Sequence, residues 1–413
     1  MGLVDPPIAI VVSLCFLVLL LYKRVNLGIT LNLTAVAMAL LALPWQEIPD
    51  IVLRTTVDLL TISVVLATFA IMWLSQLYKE TGVMKNMSES LSRIIKNPKV
   101  VLSVLPAVIG FLPVAGGALM SAPLVDAEAE KLKLKPAKKA YVNFWFRHTI
   151  FPVYPLSQVL IVAALLAETT VPIMILRQIP AVAVMVIVGY IIGFWKTTNP
   201  KHEENQNVKD ELDSDLRKFI IAFSPILASI IVAIGLDLIG FNLSKQGFDV
   251  LIASLVGLAT LTLIAKPNLQ LFAKPLRSWG IYGITLAAYG AFLLGNVMKA
   301  PEVSKIFESL ASGTIDSTVL LIVVPATLGI LTASALGGVS ISIPLLGSIM
   351  TLSPGMASLI YMSAYLGYVV SPTHLCFAFT ADYFKCSLGN VYKYVIPSVL
   401  ATFATVLLIY FLF

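Results

Sequence analysis

Apolar stretches of about 18–25 residues recur from one end of the chain to the other, each long enough to cross a hydrocarbon core of about 30 Å. Inside lipid every backbone N–H and C=O needs a partner within the protein, so spanning segments are helices or closed barrels. Alternating ten-residue strands are absent, which leaves helices. The chain therefore reads as an all-α polytopic membrane protein. Hydrophobic residues make up 58% of it and charged residues only 12%, so a soluble enzyme or a nucleic-acid binder is excluded despite a net charge of +6.

The spacing predicts ten transmembrane helices, at about 6–22, 27–45, 57–78, 141–167, 172–195, 218–240, 247–265, 279–298, 356–382 and 390–411. Two shorter interrupted segments, about 100–125 and 318–348, read as re-entrant hairpins that enter and leave on one side. With both termini extracytoplasmic, Lys and Arg divide into 22 inside, 5 outside and 1 within a span. That bias is the positive-inside pattern of a cytoplasmic (cell) membrane protein, and it accounts for the basic excess. The first apolar run reads as a span and not as a cleavable signal, because no basic segment precedes it and Lys23-Arg24 follow it. Cys15, Cys376 and Cys386 form no disulfide or metal pattern at readable spacing, so no cofactor and no metal is expected.

The two halves of the chain echo each other. LATFAIMWLSQLYKETGV at 66–83 returns in looser form as LAAYGAFLLGNVMKAPEV at 286–303. Pro106-Ala107 with Gly110 returns as Pro325-Ala326 with Gly329; Gly116-Gly117, Ser121 and Pro123 return as Gly337-Gly338, Ser342 and Pro344. Five crossings plus one hairpin per half is an odd number, so the second half enters the membrane upside down. The expected domains are a first repeat at 1–196, a cytoplasmic linker at 197–217 and an inverted second repeat at 218–413. Gly/Pro-interrupted segments at corresponding positions of inverted halves point to a secondary transporter. A mixed-charge stretch, 125–139, reads as a short interfacial helix after the first hairpin.

The hairpins, FLPVAGGALMSAP (111–123) and LTASALGGVSISIP (331–344), place paired glycines at membrane depth. Glycine permits a tight reversal and close approach of a ligand to the backbone. A helix start after the turn offers free donors to an anion. Small-residue helix packing competes with that reading. Following each hairpin, FRHTIFPVYPLSQ (146–158) and AYLGYVVSPTHLCF (364–377) carry Pro152, Pro155 and Pro372, which interrupt their helices. Around the breaks stand Ser157, Gln158, Ser371 and Thr373. Arg147 is an arginine inside a span, a placement that usually marks a pathway or a partner. His148 and His374 sit in the two broken helices and could carry or gate a proton.

These segments carry a resemblance. Five helices and a hairpin repeated upside down, with Gly/Ser/Pro hairpins and proline-broken helices, resemble the ion transporter superfamily of divalent anion/sodium symporters, gluconate permeases and C4-dicarboxylate carriers. Within it, FLPVAGGALMSAP, the FRH…YP segment and SPTH look like an uncharacterised prokaryotic, often archaeal, membrane family of unknown function. The resemblance implies a homodimer with a scaffold and a mobile transport domain moving as an elevator, with hairpins and broken helices forming the site. The Ser-Asn-Thr signatures that the symporters carry at their hairpin tips are replaced here by glycine pairs.

The expectation is a non-enzymatic carrier of a small organic anion, coupled to Na⁺ or H⁺. Candidate binding residues are Gly116, Gly117, Ser121, Arg147, His148, Ser157, Gln158, Gly337, Gly338, Ser342, Ser371, Thr373 and His374. Na⁺ could sit near Gly117, Ser157, Gly338 and Thr373. A cation/H⁺ antiporter would want a deeply buried carboxylate, and none falls at the expected midplane. An intramembrane lipid-acting enzyme would want a nucleophile with a base at readable spacing, and none is evident.

Overall fold

The structure, a computed structural model, describes residues 3–112, 117–197, 209–239, 247–311 and 316–412. Gly116 and most of the expected linker lie outside the described residues. Helix makes up 83% of the described residues, with no strand among them, so the barrel alternative is gone.

In the first half the helices are α1 (Pro6–Tyr22), α2 (Leu27–Ala42), α3 (Ile48–Val57), α4 (Leu59–Glu80), α5 (Val83–Ile94), α6 (Pro98–Gly110), α7 (Ala118–Lys131), α8 (Pro136–Thr149), α9 (Gln158–Leu166) and α10 (Val171–Phe194). In the second they are α11 (Lys209–Leu238), α12 (Phe248–Ala265), α13 (Leu269–Ala273), α14 (Trp279–Met298), α15 (Pro301–Ala311), α16 (Ser317–Thr332), α17 (Ala335–Gly347), α18 (Pro354–Val370), α19 (Leu375–Tyr383) and α20 (Leu388–Leu412). Their starts obey local chemistry. Asn26 caps α2 by accepting from the Gly28 N–H at 2.9 Å, and Asp58 caps α4 by accepting from the Thr61 N–H at 2.9 Å. Asp316 and Ser353 do the same for α16 and α18.

Among the described residues seven segments are long and apolar enough to cross a membrane: α4, the α8–α9 segment, α10, α11 from Asp213, α12, α14 and α20. The other three expected crossings are shorter. Helices α1 and α2 have 17 and 16 residues, about 25 Å of helix each, and α18–α19 is interrupted at 371–374. Both interrupted segments do form helical hairpins, α6 on α7 and α16 on α17. The stretch 125–139 is not a separate interfacial helix. Its first part completes α7, and α8 begins at Pro136. Lys139 holds that corner by pairing with Asp126 at 2.7 Å and with Glu130. Helices α3, α5 and α15 were not foreseen, being short and amphipathic and not apolar throughout.

Two groups of helices pack tightly. Helix α2 lies on α14 and α1, while α12 lies on α4 and α11; α4 also touches α14. The second group holds α6–α10 and α16–α20, centred on α16 against α18 and α10 against α20. Helix α14 against α17 and α4 against α9 join the two groups.

Glycine brings the backbones close at these crossings, as expected where van der Waals contact and not hydrophobic exclusion drives association. A Cβ on Gly28 would sit 2.7 Å from the Leu286 side chain, and Asn32 donates its amide to the Leu286 carbonyl at 2.9 Å. A Cβ on Gly329 would collide with the Ala364 carbonyl, and one on Gly367 with the Ala326 carbonyl. Gly329→Val is therefore expected to destabilise the protein by at least about 1–3 kcal/mol. Gly235, which has nothing within 4 Å of its would-be Cβ, is the control. Gly235→Ala should leave the detergent melting temperature unchanged or raise it.

Candidate functional site

The site starts from a broken helix. Helix α8 ends at Thr149, a 3₁₀ turn occupies Phe151–Val153, and α9 restarts at Gln158 with Ser157 in the capping position. Pro152 and Pro155 can donate nothing to the turn before them, which explains the break. The break frees carbonyls at membrane depth, and hydroxyls on α18 take them up. Tyr365 donates to the His148 carbonyl, and Tyr361 to the Phe151 carbonyl at 3.4 Å. The second break is handled alike: Tyr392 of α20 donates to the Val370 carbonyl at 2.8 Å, and Ser371 to the Ile330 carbonyl at 2.7 Å.

Beside the first break lies a cavity of about 380 Å³. Its walls come from α8 and the turn after it (Arg147, His148, Phe151), α9 (Gln158), the tip of the second hairpin (Ala333, Ser334), α18 (Tyr361, Tyr365, Tyr368) and the start of α19 (His374, Cys376). Leu27 and Ile284 close it from α2 and α14.

Arg147 dominates its electrostatics. The side chain is 2% exposed. One terminal nitrogen, Nη2, donates to the Leu112 carbonyl at 3.2 Å, while Nε and Nη1 have no hydrogen-bond partner among the described residues. Among the described residues no carboxylate pairs with it. Gly117 lies against it so closely that a Cβ there would overlap the guanidinium. The imidazoles meet: the His148 and His374 rings are 4.9 Å apart at 87°, and His374 stacks on Tyr368 at 3.9 Å. His148 Nδ1 lies 2.7 Å from the Phe144 carbonyl; a carbonyl can only accept, so Nδ1 carries the proton.

The structure thus brings Arg147, His148, Gln158 and His374 to one cavity, with Gly117 behind the arginine. The other residues expected at a site lie elsewhere. Ser121 is buried and donates to Asn143 Oδ1 at 2.5 Å, tying the first hairpin to α8. Gly337 and Gly338 are not at the hairpin tip but in the first turn of α17. There Gly338 abuts Ala364 and Gly329, so the pair serves helix packing. The tip is Ala333, in the left-handed region at φ 48°, followed by Ser334, which caps α17 through the Gly337 N–H at 3.1 Å. Ser342 donates back to the Gly338 carbonyl at 2.6 Å, Ser371 is engaged with α16, and Thr373 is exposed. Ser157 is buried without lining the cavity. Of the four residues expected near Na⁺, Ser157, Gly338 and Thr373 do not line the cavity beside Arg147, against which Gly117 packs.

Among the unforeseen cavity residues, those with polar or sulfur groups are Ser334, Tyr361, Tyr365, Tyr368 and Cys376. The tyrosines carry a legible signal, since positions 361, 365 and 368 fall on one helical face. A larger opening of about 600 Å³ lies among α3, α4, α9 and α14, lined by Glu47, Asp50, Asp58 and Glu168 against Arg54 and Lys299. Both of those bases are already paired, with Asp50 and Glu168. It offers an anion nothing, so the smaller cavity is the candidate site.

A buried cation with two idle donors weakens the fold that contains it. Arg147→Met, which keeps the volume and removes the charge, is expected to leave the ligand-free melting temperature unchanged or higher in detergent. A drop of several degrees would mean that the guanidinium is structural.

Two solved structures share this fold. The Alcanivorax borkumensis YdaH transporter, described as having an unusual topology, is similar at a TM-score of 0.62 and 13% identity, covering 89% of this chain and 88% of that one. Neisseria gonorrhoeae MtrF, described as illuminating a class of antimetabolite efflux pumps, is similar at a TM-score of 0.51 and 12% identity, over 88% of this chain and 83% of that one. No curated protein matches the sequence. The match to the family profile covers residues 8–413, and the chain belongs to the family described as protein of unknown function (DUF401).

Proposed function

We propose that this protein is a secondary active transporter that moves a small organic, carboxylate-like anion across the cytoplasmic membrane. One observation carries the reading: Arg147 holds a buried positive charge with two donors unused among the described residues at the edge of a cavity. Its planar fork matches a carboxylate in charge and geometry. The aromatic wall of Tyr361, Tyr365 and Tyr368 suits an apolar or aromatic body, and Gln158 with Ser334 supplies neutral polar contacts. The fold shared with two transporters agrees with this.

The transport mechanism in this reading is an elevator within the ion transporter superfamily. The chain forms two inverted repeats, 1–196 and 218–413, joined by a cytoplasmic linker. Reciprocal packing of α2 on α14 and α12 on α4 supports the repeat. The cavity lies at the border between the two helix groups: Leu27 and Ile284 belong to one, its remaining walls to the other. That is where a scaffold and a moving domain would share a substrate. Na⁺ or H⁺ drives the cycle, and the working unit is a homodimer with its termini outside. Under that orientation Leu27 and the start of α14 lie on the cytoplasmic side, so the cavity faces inward.

Thermal unfolding of the detergent-purified protein tests the reading. Mono- and dicarboxylates, aromatic carboxylates and phosphonates are screened with and without Na⁺ at two pH values, because a ligand that binds only the folded state raises the melting temperature. A carboxylate is expected to stabilise the protein, with affinity falling by about tenfold or more in Arg147→Gln. Saturable, concentrative uptake into proteoliposomes then separates a carrier from a channel. Stabilisation by Na⁺ or pH alone, with no anion responding, would overturn the anion assignment. For sidedness, Cys376 in a Cys15→Ser/Cys386→Ser background is expected to react with a membrane-impermeant thiol reagent in inside-out vesicles and not in right-side-out ones.

A further inference from the structure

The cavity holds a cluster that anion transport does not use. His148, His374 and Cys376 each offer one ligating atom, and the three atoms all lie within 4.8 Å of one another. They arrive from different places: His148 ends the last turn of α8, while His374 caps α19 and Cys376 sits in its first turn. Only the tertiary fold brings them together. We propose that these three side chains form a binding site for a zinc-class divalent transition metal ion, with its open coordination position facing the cavity.

Three observations support it. The Tyr368 carbonyl approaches one ring nitrogen of His374 without a well-aligned hydrogen bond, and the other nitrogen has no partner among the described residues, although the side chain is 2% exposed. A buried ring nitrogen without a partner is costly unless something occupies it. His148 is oriented as a metal ligand is: Nδ1–H is donated to the Phe144 carbonyl, which leaves Nε2 as the ligating atom. Finally, two imidazoles and one thiolate are a donor set that zinc accepts, and three protein ligands leave a fourth position free. That position opens on the cavity, since all three residues line it.

The geometry requires a small closure. Donors around one tetrahedral zinc, at bond lengths of about 2.0–2.3 Å, lie about 3.3–3.7 Å apart. The present separations reach somewhat beyond this, so metal binding would draw α19, which restarts after the break at Ser371–Thr373, toward the end of α8. Binding requires the thiolate, so Cys376 gives up its proton to solvent as the metal enters. The bound site then carries one net positive charge beside Arg147. The ligand assignment does not depend on what the cavity transports.

The test uses the full chain without an affinity tag, in detergent, stripped of metal, in the Cys15→Ser/Cys386→Ser background. Zn²⁺ is titrated against a chromophoric chelator, and Co²⁺ is added separately to look for thiolate-to-metal charge-transfer absorption. One equivalent of Zn²⁺ per chain is expected, with a Co²⁺–thiolate band. Loss of a mere second-shell partner weakens metal sites by about 10–100-fold, so Cys376→Ser and His374→Gln should each weaken binding by at least that. The Co²⁺ band should vanish in Cys376→Ser, and Zn²⁺ should protect Cys376 from alkylation. Melting temperatures of the metal-free variants show that they fold. No binding in the folded parent protein, or binding unchanged in both variants, overturns the assignment. Because the readout is metal binding, its failure leaves the anion reading standing, and the failure of that reading leaves this one standing.

Discussion

The tyrosine wall of the site follows from one constraint: a helix interrupted within lipid frees carbonyls and amides that only the protein can satisfy. Proline interrupts α8–α9 and α18–α19. The freed carbonyls of His148, Phe151 and Val370 are met by the hydroxyls of Tyr365, Tyr361 and Tyr392. Two of these tyrosines also line the cavity. The same side chains therefore make the break tolerable and shape the space beside it. Removing the breaks would remove the need for the tyrosines, and with them the polar edge of the site.

Arg147 stands out among the buried polar side chains left partly unpaired. Ser363 keeps an idle hydroxyl, but among the described residues only the guanidinium keeps two idle donors on a full charge. A charge held that way destabilises the empty protein and favours whatever anion relieves it, which is how binding sites commonly depart from the stability optimum. Gly117 makes the arrangement possible, since any side chain there would occupy the space of the guanidinium.

The glycines illustrate how one sequence signal can serve two ends. The paired positions 116–117 and 337–338 look alike along the chain. In space Gly117 supports the arginine, whereas Gly338 lets α17 approach α16 and α18. The reversal in the second hairpin falls instead on Ala333, a residue whose Cβ makes the left-handed conformation costly. Strain of that kind collects at sites where the surrounding structure enforces it.

The sequence by itself determined the helical class, the position of nearly every long helix, the two hairpins and the two proline breaks. Apolar length, proline and glycine act within a few residues, so they are readable without a fold. It also singled out Arg147, His148 and His374, because charged and titratable groups are rare in such spans. It missed the amphipathic helices α3, α5 and α15, whose mixed composition resembles that of loops. It did not distinguish Ser157, Ser342, Ser371 and Thr373 from residues that reach the cavity, since a hydroxyl tied to its own helix (Ser342), bonded to a neighbouring one (Ser371) or turned away from the cavity looks the same along the chain as one that lines it. Only the tertiary structure decided which polar groups were already satisfied, and only it placed Cys376 beside two histidines, one of them 228 positions away. Hydrogen-bond satisfaction and ligand convergence depend on distances between helices, and those are set by packing across the whole chain.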